Sequence, residues 1–162
     1  MYVFEKKQIT KITDPHLALI KMQSWCAYQE RCQHDARTKL YELGVGTEDL
    51  ENIIVKLIEE NFINEERFAI QFAKGKFNIK KWGRIKIKQE LKQKRVSDYC
   101  LKKALHQIDE EDYIKTLTNV LITKKKLVSE KNPTKLKYKL ANYALSKGYE
   151  NDLIFDALNK TE

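Results

Sequence analysis

The chain has 162 residues, 42% apolar and 33% charged, which is enough to bury a core beneath a heavily ionised surface. Its formal net charge is +8, and no apolar run approaches the roughly 18 residues of a membrane-spanning helix. Five Gly and two Pro leave few places for hairpins, while abundant Lys, Leu, Glu, Ile and Ala favour helix throughout and argue against a sheet.

In chain order, the first segment, "MYVFEKKQITKITDP", has no continuous apolar stretch followed by a small-residue cleavage site, so residues 1–13 are expected to be a tail and the protein to be cytoplasmic. Asp14-Pro15 places a capping residue before a proline at the first helical position, the favoured start of a helix over 15–32. Helices over 33–43 and 47–60 follow, separated by Gly44-Val45-Gly46-Thr47. Asn61 to Asn64 breaks the pattern before helices over 64–78 and 80–94, and Val96-Ser97 breaks it again before 97–107. The last three helices are expected over 109–129, 133–146 and 150–160, with Asn132-Pro133 repeating the capped start.

Three of these breaks are alike. "LYELGVGTEDL" (40–50), "LKQKRVSDYCL" (91–101) and "ALSKGYENDLI" (144–154) each leave a helix, bend, and enter a polar cap and a new amphipathic helix. Aligning Gly44, Arg95 and Gly148 gives spacings of 51 and 53 residues, with Ile54, Leu105 and Leu158 recurring downstream. Such a period predicts an all-α fold of three tandem three-helix repeats, 14–63, 64–108 and 109–162, forming an elongated, curved array.

Charge is concentrated in the middle of the chain: residues 1–70 carry −3, residues 71–108 carry +10, and residues 109–162 carry +1. Within "KKWGRIKIKQELKQKRVS" (80–97) the only acid is Glu90. At helical spacing Lys81, Arg84, Lys88, Lys92 and Arg95 fall on one stripe, with Ile87 and Leu91 beside it as the core face and Trp82 and Ile85 on the other side. An unbroken helix would hold these five cations along about 21 Å. Like charges three or four residues apart cost roughly 0.2–0.5 kcal/mol each, a cost that a polyanionic partner would remove. A solvated lysine-rich face is the plainer alternative. Trp82 is either a stacking platform or a core plug. Gly83 is expected to let another backbone approach, at a helix start that could also hold an anion.

No site of another kind emerges. Cys26, Cys32 and Cys100 form no Cys-x-x-Cys pair, and His16, His34 and His106 have no zinc-type spacing with them, so no metal or cofactor is expected. Gly75 lies outside any phosphate-cradling glycine motif. The pairs Glu59-Glu60 and Glu110-Glu111 read as solvated faces or caps, and the chain is expected not to be an enzyme.

Two stretches resemble a known family. "FINEERFAIQFA" (62–73), through Glu65, Glu66, Arg67, Phe68 and Ala69, and "WGRIKIKQELKQKRVS" (82–97), through Trp82, Gly83, Arg84, Ile87, Leu91, Lys94 and Val96, are similar to the two central motifs of the RecX family. The likeness extends over roughly residues 14–160. It implies three tandem three-helix repeats that lie in the helical groove of the RecA–single-stranded DNA filament and oppose RecA recombinase and coprotease activity, without catalysis and as a monomer. The implied partners are the RecA filament and single-stranded DNA, with duplex DNA as a further candidate and no membrane. The expected contact residues are Lys80, Lys81, Trp82, Arg84, Lys86, Lys88, Lys92, Lys94, Arg95 and Arg67. Arg67 is open to a structural role, pairing with an acid of its own helix or of a neighbouring repeat, as well as to a partner contact. An autonomous DNA- or RNA-binding helical module acting without RecA is the alternative reading. Two features depart from the family pattern: Arg95, where the family usually has Gly, and a Lys-rich insertion, "TKKKLVSEKNPTKLK" (123–137). If position 95 needs a left-handed backbone, Arg there costs on the order of 1 kcal/mol; otherwise it extends the helix.

Overall fold

Local capping chemistry sets most helix boundaries, in a computed structural model that describes residues 11–160. Residues 1–10 of the expected tail lie outside the described residues. Nine helices and no strand occur among those described: α1 (Pro15–Tyr28), α2 (Gln33–Glu42), α3 (Thr47–Glu59), α4 (Glu65–Asn78), α5 (Arg84–Gln93), α6 (Asp98–His106), α7 (Glu110–Leu127), α8 (Pro133–Lys147) and α9 (Asn151–Lys160). The Asp14 carboxylate accepts the His16 N–H at 2.9 Å, and the Asn132 side chain accepts the N–H groups of Thr134 and Lys135 at 3.0 and 3.2 Å. Both proline-led starts therefore carry a side-chain cap.

The structure corrects two boundaries. α1 ends at Tyr28 rather than 32, because Gln29 is extended and Cys32 is needed outside the helix, where its Sγ accepts the Asp35 N–H and caps α2. α5 starts at Arg84 rather than 80: Lys81 adopts a left-handed backbone at φ 59° and Gly83 is the N-cap. The 123–137 insertion is mostly helical, its first residues lengthening α7 and its last ones opening α8.

The chain divides into two compact units, one up to Phe68 and the other from Ala69, the boundary falling inside α4. In the first, α3 packs on α1 and α2 over a core that includes Met22, Leu40, Ile54 and Leu57. Within the second, α5 packs on α6, while α7, α8 and α9 pack mutually around Leu117, Leu121, Ala144 and Ile154.

The three aligned bends share one backbone geometry. Gly44, Arg95 and Gly148 all have positive φ, at 82°, 58° and 95°. In each bend the left-handed residue donates its N–H to the carbonyl three back, at Tyr41, Lys92 and Leu145. The next residue, Val45, Val96 or Tyr149, donates to the carbonyl five back, at Leu40, Leu91 and Ala144. This pair of bonds is the Schellman cap, and both residues of the pair that usually makes its apolar contact are buried in each bend. Asn61 closes α3 by the same two bonds. Position 95 therefore breaks its helix and does not extend it.

Arg95 carries a Cβ where the geometry favours none, and its side chain is exposed. Arg95→Gly is expected to stabilise the protein by up to about 1 kcal/mol. An increased urea midpoint at unchanged slope, read by far-UV circular dichroism, checks this.

Candidate nucleic-acid and filament interface

The two helix ends that meet at the second unit's cationic segment complete each other's backbone hydrogen bonding. An α-helix leaves its first N–H groups and last carbonyls without partners. Here the Gly83 N–H donates to Lys147 O at 2.8 Å and the Ile85 N–H to Gly148 O at 3.0 Å, joining the start of α5 to the end of α8. The approach requires both glycines. A Cβ on Gly83 would lie 2.3 Å from Gly148 O, and one on Gly148 would lie 2.3 Å from the Lys86 Cβ. The expected backbone approach at Gly83 is thus present, and the protein's own carbonyls take the donors that an anion would have used.

Between these amides, the Arg84 N–H donates to Tyr113 Oη at 3.0 Å, and that hydroxyl donates to Glu150 Oε2 at 2.6 Å. The Arg84 guanidinium donates through Nε to Glu150 Oε1 at 2.8 Å and through Nη1 to Glu110 Oε2, also at 2.8 Å. Its carbon stands 3.9 Å from the centre of the Tyr113 ring. Tyr113 in turn packs between Phe77 and Tyr149, and the Tyr149 hydroxyl donates to Lys81 O at 2.7 Å. Burial opposes the charge on Arg84, but the hydrogen bonds of Glu110 and Glu150 and the charge of Glu150 outweigh it and raise the guanidinium pKa. Burial, reinforced by Glu150, lifts the phenols of Tyr113 and Tyr149 above their ordinary value.

This arrangement corrects the five-cation stripe. Only Arg84, Lys88 and Lys92 lie within α5; Lys81 precedes the cap and Arg95 follows the helix in a left-handed turn. The expected length of about 21 Å assumed an unbroken helix, and the ten residues of α5 do not supply it. Two carboxylates already neutralise Arg84. Lys88 and Lys92 are exposed, four residues apart, with no ion pair among the described residues. Ile87 and Leu91 are buried as expected, while Ile85 is exposed.

The other expected contact residues are dispersed. Lys80 and Lys81 are exposed in the turn before α5, their carbonyls accepting from Lys147 Nζ and Tyr149 Oη. Trp82 is half-buried with two ammonium groups over its ring, Lys86 Nζ at 4.5 Å and Lys76 Nζ at 4.9 Å from the ring centre. Lys94 is the half-buried C-cap of α5. Arg67 lies in the first unit, where its Nε binds Glu30 and its two Nη groups bind the side chain and carbonyl of Asn61. These contacts brace the left-handed turn at Asn61, a structural engagement of the guanidinium with the loop between α1 and α2.

Sequence reasoning missed Glu150, Glu110 and Tyr113. Glu110 and Tyr113 are three apart and so share a face of α7, but nothing in the sequence links either to Arg84. Glu110, read as a solvated acid, is an ion-pair partner.

The fold and site together define an all-α protein of three-helix units with a lysine-rich face on one of them. Residues 64–105 match the family model described as RecX, second three-helix domain, and residues 110–158 match RecX, third three-helix domain, together more than half of the chain. The chain belongs to the RecX family. It is 27% identical over 137 residues to the regulatory protein RecX of Bacillus thuringiensis (strain Al Hakam) and to that of Bacillus cereus (strain AH187). That alignment covers 85% of this chain and 51% of each relative, so the chain spans about half the length of these curated relatives. Among solved structures, a crystal structure of regulatory protein RecX superposes with a TM-score of 0.82 at 21% identity, over 90% of this chain and 71% of the other. RecX from Lactobacillus salivarius gives 0.79 at 20%, over 90% and 95%. At these identities the likeness is one of fold.

Arg84→Gln is expected to cost roughly 2 kcal/mol of stability, since it leaves Glu150, and to a lesser extent the exposed Glu110, without a cationic partner. Chemical denaturation of the variant reads this directly. The raised Tyr113 and Tyr149 pKa values contribute stability that is fully present below the unfolded phenol's pKa of about 10 and is lost as pH rises toward the folded values. The thermal midpoint is therefore expected to hold between pH 8 and roughly 9.5 and to fall above about pH 10, with part of the tyrosinate absorbance appearing only on unfolding.

Proposed function

We propose that this chain is a non-catalytic regulator that binds in the groove of the RecA–single-stranded DNA filament and inhibits RecA recombinase and coprotease activity. Membership of the RecX family carries this reading, and the relatives' shared name, regulatory protein, supports it. The exposed pair Lys88 and Lys92 supplies a chemical reason: two ammonium groups one helical turn apart, with no internal counter-charge among the described residues, suit a phosphate-lined or acidic trough. In this reading the chain acts as a cytoplasmic monomer built of repeats 14–63, 64–108 and 109–162. Lys80, Lys81, Lys86, Lys94 and Arg95 add positive field around the pair. Arg84 and Arg67 serve the fold.

The reaction that tests this is RecA-catalysed strand exchange titrated with the protein, alongside a DNA-binding control without RecA. Lys88→Glu combined with Lys92→Glu is expected to raise the concentration for half-inhibition by about tenfold or more while leaving helicity intact. Wild-type inhibition by that variant would remove Lys88 and Lys92 from the interface. The second reading, an autonomous DNA- or RNA-binding helical module, draws on the same exposed lysines and predicts tight, salt-steep binding in the control arm.

A further inference from the structure

A second cationic feature of the unit that begins at Ala69 lies outside the α5 face. α7 and α8 flank a cavity of about 350 Å³, within the usual range for small-ligand sites but near its lower end. Three lysines line it, Lys124 from α7, Lys147 from α8 and Lys81 from the turn before α5, and none of the lining residues is acidic. Lys124 Nζ and Lys147 Nζ stand 4.5 and 5.7 Å from the centre of one ring, that of Tyr143. Among the described residues, the Lys147 ammonium donates to an uncharged acceptor, Lys80 O at 3.2 Å. Like charges are therefore drawn to one aromatic ring with no ion pair to either ammonium among the described residues, and a bound anion would relieve the repulsion.

The rest of the lining specifies what kind of anion fits. Thr116, Asn119 and Thr123 lie along one face of α7 and bring hydroxyl and amide groups of the type that bind phosphate and sugar oxygens. Val120 and Leu127, the latter 75% exposed, join Tyr143 as an apolar and aromatic wall. An inorganic anion has no use for such a wall, whereas a nucleotide uses both halves of the cavity: its phosphate meets the lysines and its base meets the wall. Lys81 reaches the cavity from a left-handed backbone that a lysine adopts at a cost. That conformation is fixed in place by the Tyr149 hydroxyl on Lys81 O.

We infer that the α7–α8 cavity is a subsite for one nucleotide of a nucleic-acid single strand, its phosphate held by Lys81, Lys124 and Lys147 and its base laid against Tyr143. The inference stands on the cavity and needs no RecA, so the degree of strand-exchange inhibition leaves it untouched, and only binding without RecA bears on it.

The experiment is fluorescence anisotropy of the whole chain with a labelled twelve-residue oligothymidylate from 25 to 300 mM salt, without RecA. Lys124→Gln with Lys147→Gln is expected to weaken binding at least tenfold at the lowest salt. The slope of log affinity against log salt should become shallower by up to about 0.7, the value for one lost phosphate contact to a single strand. Tyr143→Leu is expected to weaken binding about five- to tenfold with the slope unchanged, the pattern of a lost stacking contact. Because Lys147 also bonds Lys80 O, Lys124→Gln alone is measured too, and about half the slope change is expected from it. Circular dichroism confirms that each variant is folded. Wild-type affinity and slope in the folded double variant would overturn the assignment. So would thymidine monophosphate competing as well as the oligomer, which would make the cavity a free-nucleotide site. Equal, Tyr143-independent binding of polyglutamate or duplex would reduce it to a general anion surface and overturn it likewise.

Discussion

Two helix ends share their unpaired backbone groups where α8 meets α5, and most of the cationic unit is organised by that junction. The carbonyls of Lys147 and Gly148 would otherwise need water or a side chain, as would the amides of Gly83 and Ile85; each set satisfies the other. Only glycine on both sides permits the distance. Once the backbones touch, Tyr149 is fully buried with its hydroxyl on Lys81 O, and Glu150 follows it into reach of Arg84 and Tyr113. The left-handed turn at Lys81, the late start of α5 and the neutralisation of Arg84 are connected to this one contact.

The junction also sorts the cations by role. Arg84 has a planar fork suited to two carboxylates and an aromatic face, and it is the cation that the protein keeps for itself. The lysines remain at the surface, where a compact, strongly hydrated ammonium costs little to expose and loses little when it exchanges water for phosphate. Arg67 repeats the division in the other unit: its guanidinium is committed to Glu30 and Asn61 at a left-handed turn. In both units arginine holds the chain's path. The proposed partner contacts are left to lysine.

The repeated Schellman caps give the three-helix pattern a physical basis. Each bend needs an apolar residue just after the left-handed position and another five residues earlier, a rule satisfied by Val45 with Leu40, Val96 with Leu91, and Tyr149 with Ala144. The constraint acts on a dozen residues at a time, and it recurs even where Arg replaces Gly. The strain at Arg95 shows that the surrounding contacts determine the bend more strongly than the preference of the residue that occupies it.

What the sequence determined by itself was whatever depends on neighbours a few residues apart: the proline-led caps at Asp14 and Asn132, the helical periodicity, the 51- and 53-residue spacing of the bends, and the burial of Ile87 and Leu91. The family likeness was legible for the same reason, since its motifs are short and contiguous. Tertiary structure alone decided which cations are available. Arg84 and Glu150 are 66 residues apart, and no local rule separates a lysine-like stripe position from an ion-paired one. Likewise Lys81 reads as helical by spacing, and it leaves the helix because the amides that follow it are bound to carbonyls from the far end of the chain. Helix formation is short-range chemistry, whereas neutralising a charge depends on which distant groups the fold brings within about 3 Å of it.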